Sequence, residues 1–392
     1  MKNMTINLHH PLLLIWLSQF SISLGMSLTS PILPLYASSF GISYSLVGLV
    51  VSSFGLSRLF VEIPGGMVVD RVGRKPFIVF GCVLSTISPL IAGIAQTFVD
   101  LMVSRMLAGI GSALMLNASL IYVGEIAPAD KIARYIALFQ STFFVSGIIG
   151  PVLGGLLSEI FLLRTTFLFA TAISAVGIVF VLFMKKPGDA VRSRGTSQGR
   201  ANVLEIIQDV RILTLGGSCF MLFFLFTSIL GPMIPLYGVE EMNLTSVQIG
   251  LIFSLNSVIV AIILLFVVHR LDRFVRRALL LPFSLLICSI SVFLISFAWD
   301  FVTLAIFVGS LGVGLGVLQP LPFAMVIDYS KHDSRGLTMG ILRTVGSLGL
   351  ILGPMVVGWL MDLGQALLVF YTIAVIVGLF SVLTWVVFRR PK

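Results

Sequence analysis

Charge is scarce in this chain. Of its 392 residues only 25 are basic and 16 acidic, 10% in all, against roughly 25% in an ordinary soluble protein. A soluble domain so poor in charge could not keep its surface wet. A disordered chain is polar and charged, so both classes are excluded. Cysteine is also scarce. Cys82, Cys219 and Cys288 each sit inside an apolar run, which suggests neither a disulfide framework nor a metal site. The four histidines (His9, His10, His269, His332) lie in short polar stretches, and no Cys/His cluster has ligand spacing. There is no HExxH, no Gly-x-Ser-x-Gly and no intramembrane His/Asp set, so an enzyme is not expected. No nucleotide-binding loop is present, so ATP is not expected as the energy source, and no cofactor or metal is called for.

What is present is apolar sequence: 58% of residues, with a mean hydropathy of +1.10. The apolar runs are continuous. They lack the alternation of a membrane β-barrel strand, and a helical span needs about 20 such residues. Reading the runs against charged punctuation predicts twelve spans. They lie near 12–36, 45–69, 77–97, 101–123, 135–158, 165–184, 212–237, 247–268, 279–298, 301–326, 337–361 and 366–388. The first run is too long for a signal-peptide core and reads as a retained span. The expected fold is therefore an all-α integral membrane protein with 12 transmembrane helices.

The basic residues are unevenly placed. Twenty-one of the 25 fall at the termini or in alternate loops on one side, only Arg164 lies in the opposite loops, and Arg58, Arg105 and Arg343 fall inside spans. Positive loops stay in the cytoplasm. Both termini are expected there, in the plasma membrane. The net charge of +9 is thus a topology signal, and no nucleic-acid partner is expected. The longest inter-span stretch is basic and polar, as a linker would be. It divides the chain into a six-helix bundle at 1–184, a cytoplasmic linker at 185–211 and a second bundle at 212–392.

The two halves repeat. Ser30–Tyr36 (SPILPLY) matches Gly231–Tyr237 (GPMIPLY) at an offset of 201, and Asp70–Lys75 (DRVGRK) matches Asp272–Arg277 (DRFVRR) at 202. Glu125 matches Asp328, Asp130 matches Asp333, and Gly150-Pro151 matches Gly353-Pro354, all at 203. Five matches in order are an internal duplication, the sequence mark of secondary transporters whose two bundles rock around a central site. Pro31 and Pro34 recur as Pro232 and Pro235. Prolines interrupting equivalent spans point to a central site or gate.

Segment Gly66–Lys75 reads GMVVDRVGRK. It resembles the loop signature Gly-x-x-x-Asp-Arg-x-Gly-Arg-Lys of the major facilitator superfamily, and every signature position matches. With twelve spans and the repeat, the resemblance covers essentially the whole chain. It implies two pseudo-symmetric six-helix bundles and a cytoplasmic latch formed by Gly66, Asp70, Arg71, Gly73, Arg74, Lys75, Glu125, Asp272 and Arg273. Asp70 would face the positive N-terminal end of a neighbouring helix, span eleven in the family. Gly73 would permit a tight turn, and Arg71, Arg74 and Lys75 would anchor the loop at the anionic leaflet. The second copy has Val275 in place of the turn glycine.

Arg105–Gly111 (RMLAGIG) resembles a second superfamily motif, Arg-x-x-x-Gly-x-Gly, associated with proton-coupled members. A buried arginine implies a polar partner or a wet cavity; the competing reading is an arginine snorkelling to the interface. Ser146–Gly155 (SGIIGPVLGG) resembles the Gly-x-x-x-Gly-Pro-x-x-Gly-Gly motif of the drug:proton antiporter branch, with Ser146 for the first glycine. Its Gly150, Pro151, Gly154 and Gly155 are echoed by Gly353 and Pro354 in span eleven. Small-x-x-x-small patterns are also common packing devices in any membrane bundle.

The ionisable set inside the spans is Arg58, Glu62, Arg105 and Arg343. In the superfamily spans two and eleven adjoin, so a Glu62–Arg343 pair is expected to close the cytoplasmic side and open when Glu62 is protonated. Arg58, one turn from Glu62, competes for it. Polar candidates for the substrate cavity are Gln19, Asn117, Gln140, Asn256 and Gln319, among 31 Phe and 15 Met. A hydrophobic, repackable cavity suits lipophilic compounds. The expected function is proton-coupled efflux of lipophilic or drug-like small molecules by alternating access, driven by the proton gradient and carried out by a monomer. The alternative is export of a specific physiological solute or lipid-like anion, with or without proton coupling; three in-span arginines against one glutamate would tolerate anions.

Overall fold

A computed structural model describes residues 11–128, 130–184, 206, 208–268, 270–271, 275–330 and 334–389, with the side chains of 63–72 outside the description. Twelve helices among the described residues are long and apolar enough to cross a membrane. Spans one to six are Pro11–Thr29, Tyr44–Glu62, Arg74–Ile94, Phe98–Ile126, Ile132–Ile160 and Leu163–Leu182. Spans seven to twelve are Val210–Glu240, Ser246–Val267, Arg277–Ile295, Phe301–Tyr329, Arg335–Asp362 and Ala366–Arg389. With no water in hydrocarbon, each segment must satisfy its own backbone, which selects the helix. Large apolar side chains such as Phe60, Leu162, Leu265 and Leu379 are exposed, as lipid-facing positions require.

Polar residues define several helix starts. Thr97 and Asp100 form a capping box at span four, Thr245 and Gln248 at span eight, and Asp300 and Thr303 at span ten. Each pair satisfies backbone donors that the first helical turn leaves open. The boxes of spans four and ten are related by the duplication with their residues exchanged, TFVD in one half and DFVT in the other. Hydrogen bonds from Thr303 hold the Asp300 carboxyl below the usual carboxylate range.

Prolines stand at the breaks of spans one, seven and ten. Span one ends its first helix at Thr29 and resumes as Leu33–Ser38, with Pro31 in the gap. Span seven runs as Val210–Ser228, a π-helical segment Ile229–Met233 and a helix Ile234–Glu240. Gly231 leaves helical geometry beside Pro232, with φ −73° and ψ −107°. A proline removes one backbone donor and crowds the preceding turn. Span ten is interrupted at Gln319 and Pro320 between Phe301–Leu318 and Leu321–Tyr329. Span eight carries a second π-helical segment, Ile263–Val267.

The chain forms two compact units, Met1–Ile32 with Ser53–Gly195 and Leu33–Ser52 with Thr196–Lys392. In the first unit span one packs on spans five and six, and span three on spans four and six. Ile15, Ile22, Ile78, Met115, Tyr122 and Phe139 form part of its core. In the second unit span seven packs on span eleven, span nine on spans ten and twelve, and span eight on span ten. The second unit also takes in Leu33–Ser38 and the start of span two. The crossing between units at Ile32 falls beside the Pro31 break.

Candidate functional site

The loop after span two is built on Gly73. Its φ of +102° lies where a side chain is strained, and it lets a helix ending at Val72 be followed by one starting at Arg74. Arg74 Nε then lies 3.0 Å from Glu125 Oε1, both side chains mostly buried. Lys75 Nζ donates to the carbonyls of Leu182, at 2.8 Å, and Met184, at 2.5 Å. This lysine therefore binds the open carbonyls at the end of span six, in addition to adding charge to the loop. The second half repeats the ion pair: Arg277 Nη1 lies 3.2 Å from Asp328 Oδ2. Gly66, Asp70 and Arg71 belong to the helix Tyr44–Val72, but the side chains of Asp70 and Arg71 lie outside the described part. Asp272 and Arg273 lie outside the described residues.

Of the four in-span charges, the structure brings two together. Arg58 Nε lies 3.7 Å from Glu62 Oε2, one turn apart and partly exposed. Arg343 is exposed on its helix and belongs to the other unit. Arg105 is half-buried: its Nε is buried with no hydrogen-bond partner among the described residues, and its guanidinium carbon lies 4.9 Å from the centroid of the Phe54 ring. That contact is a cation–π interaction.

Arg105 lines a cavity within the first unit, formed by spans one, three, four and six. Gly25, Thr29, Ser85, Ser88, Ser104 and Ser174 are among the other lining residues. The centre of a water molecule has about 20 Å³ to occupy there, room for one small group. Ser104 donates to the Ser88 carbonyl at 2.7 Å, while the hydroxyls of Ser88 and Ser104 lie 3.2 Å apart. The Ser85 hydroxyl is buried without a partner among the described residues.

The glycine motifs mark close helix contacts. A Cβ on Gly150 would lie 2.5 Å from Ser27 Cβ, and one on Gly154 would collide with the Leu28 carbonyl. Span five is thereby held against span one, with Pro151 and Gly155 buried alongside. In span eleven, a Cβ on Gly353 would lie 2.9 Å from the Phe224 carbonyl oxygen. The Pro354 carbonyl meets Gly48 at the start of span two. Ser52 Oγ donates to the Ile351 carbonyl at 2.6 Å.

The polar residues read as a cavity set fall into three environments. Gln19 is buried; its Nε2 donates to Ser23 Oγ at 3.0 Å, and its Oε1 has no partner among the described residues. Asn256 is buried and donates to the Val308 carbonyl at 2.9 Å, tying span eight to span ten. Asn117 is half-buried, and Gln140 and Gln319 are exposed. Sequence reasoning missed Asp362, Tyr44 and Glu240. Tyr44 Oη donates to Glu240 Oε2 at 2.7 Å, and Asp362 accepts from the start of span two. For Asp362 and Glu240 the sequence signal is a charge at a span end; Tyr44 offers none.

The family profile described as Major Facilitator Superfamily matches residues 15–244 and 216–392. Multidrug resistance protein 1 of Bacillus subtilis is 24% identical over 367 residues, 92% of this chain and 92% of that protein. The quinolone resistance protein NorA of Staphylococcus aureus is 22% identical over 346 residues, 88% of each chain. Among solved structures, an inward-facing bacterial homologue of the human lysosomal transporter Spinster superposes with a TM-score of 0.81. It is 15% identical, covering 99% of this chain and 98% of that one, and bears on the fold alone.

Proposed function

Since this chain belongs to the Major Facilitator Superfamily, a family of transporters and not of enzymes, we propose that it exports lipophilic, drug-like small molecules in exchange for protons. It is a multi-pass membrane protein. The observation that carries it is the joint occurrence of drug-resistance relatives and an antiporter-type Gly-Pro segment at the tight contact between spans five and one. Glu62 takes the proton. It is the one acid of the in-span set, and protonation removes the attraction that holds it to Arg58. Pairing of Glu62 with Arg343 in another state of the cycle belongs to the same proposal. The basic loops are cytoplasmic, as are both termini, in the plasma membrane. The bundles at 1–184 and 212–392 rock about the linker at 185–211, and the monomer is the working unit.

The test is reconstitution of the full chain in liposomes with a panel of lipophilic dyes and a trapped pH indicator. Dye movement that collapses the proton gradient, and stops when that gradient is dissipated, is the expected result. Dye movement indifferent to the gradient would remove the coupling, and none with any dye would remove the substrate class. A second reading, export of one specific anion without protons, draws on the buried Nε of Arg105 and predicts gradient-independent flux of an anion alone.

A further inference from the structure

We propose that the Arg105 cavity of the first unit is a binding site for a compact monovalent anion, a halide or a single carboxylate group. A guanidinium does not lose its proton in a protein, so Arg105 is a cation wherever it sits. Arg105 is half-buried, and a cation inside a membrane bundle is strongly disfavoured unless another group or water answers it. Here the Nε is buried and unpartnered among the described residues, and the Phe54 ring faces the guanidinium. A ring quadrupole is a weak answer to a full charge.

No described acid of the same unit supplies the answer. Glu62 pairs with Arg58, and Glu125 with Arg74. Asp100, though five residues away on the same helix, accepts from the backbone of Gln96 and Thr97 at the exposed helix start. Asp130 and Glu159 are exposed. What surrounds Arg105 instead is hydroxyl. Ser85, Ser88, Ser104 and Ser174 line the cavity, and the buried Ser85 hydroxyl has a donor to give. A guanidinium fork with hydroxyl donors around a space for one small group is the chemistry of an anion site.

The duplication supplies an internal control. The residue equivalent to Arg105 is Val308, and that equivalent to Ser85 is Cys288, both fully buried. The Val308 carbonyl is bound by Asn256. The fold therefore stands at this position with apolar side chains, and architecture does not require the arginine. The site is independent of the drug-efflux reading, and its test needs no transport.

The experiment is thermal unfolding of the purified full chain in sodium chloride against equimolar sodium gluconate, whose anion is too large for the cavity. The expected result is a chloride-specific rise in Tm that saturates, and that Arg105→Val abolishes. Ser85→Ala should retain the rise but need about tenfold more chloride for half-effect, the equivalent of one charge-assisted hydrogen bond. Should Arg105→Val fail to fold, Arg105→Lys serves, since it keeps the charge, loses the fork and should likewise weaken the effect. Anomalous density from bromide beside Arg105 in crystals would place the ion directly. Competition by a small carboxylate such as acetate would assign the site to carboxylates as well as halides; its failure would assign it to halides. No chloride-specific shift in the unmodified chain, or the same shift in Arg105→Val, overturns the proposal.

Discussion

The Asp362 carboxylate, at the end of span eleven, accepts hydrogen bonds from the backbone N–H of Tyr44 at 2.8 Å and of Ser45 at 3.0 Å, and from the Ser45 hydroxyl. An acid thus caps the opening turn of span two, where the helix dipole is positive.

This relationship predicts that Asp362→Asn loosens the start of span two within the second unit. The amide keeps one acceptor and loses the charge. A cysteine introduced by Val47→Cys, at a fully buried position, reports the opening. Its reaction with a soluble maleimide should accelerate about tenfold in the Asp362→Asn background, equivalent to about 1.4 kcal/mol. An unchanged rate would mean that the contacts of Gly48 and Ser52 with span eleven suffice.

Glu62→Gln separates coupling from binding. The neutral amide imitates the protonated acid and leaves Arg58 without its partner at 3.7 Å. Dye binding in detergent should persist within a few-fold of the original, while proton-driven dye movement in liposomes is lost. A Glu62→Gln chain that still pumps against its gradient would displace Glu62 from the coupling role. Restored transport in Glu62→Arg combined with Arg343→Glu, where each single change is inactive, would support the proposed Glu62–Arg343 pairing.

The repeated ion pairs differ in burial, which orders their contributions. Arg74 and Glu125 have side chains 19% and 14% exposed, whereas Arg277 and Asp328 are 33% and 44% exposed. Arg74→Ala should lower stability by about 1.5–3 kcal/mol, the range for a hydrogen bond to a charged group. Arg277→Ala should cost below about 1 kcal/mol, as solvent screens exposed pairs. Thermal unfolding of the two variants checks the order.

Much of the fold is legible in the sequence, because membrane helices announce themselves by composition and length. The twelve runs, the duplication and the loop signature needed no tertiary information. Other features depended on packing. Asp362 is, in sequence, only a charge at the end of an apolar run; its partner is 318 residues away, and no periodicity links the two. Asn256 looked like a cavity residue because it is polar in an apolar run, yet it holds the Val308 carbonyl. Arg58 was visible as a competitor for Glu62 because helical spacing alone brings i and i+4 together. The exchanged capping boxes were missed because the duplication preserves their geometry and not their residue order.

Those boxes lead to a prediction about the duplication itself. Thr97 and Asp100 open span four, and Asp300 and Thr303 open span ten with the same mutual hydrogen bonding. Either order satisfies the first-turn donors, so Thr97→Asp combined with Asp100→Thr should fold with an unchanged Tm, whereas each single change breaks the pair and lowers it. The acid dependence follows from the carboxylate. Asp300 is held below its ordinary range by its bonds to Thr303, so its contribution is present above the unfolded-state value near 3.9 and is lost as pH falls through the lower folded-state value. Asp300→Asn should therefore flatten the fall of Tm with acidification below about pH 4 while leaving neutral-pH stability little changed, because asparagine also caps helices well. A Tm profile with the same slope in both chains would show that Asp300 does not set this acid response.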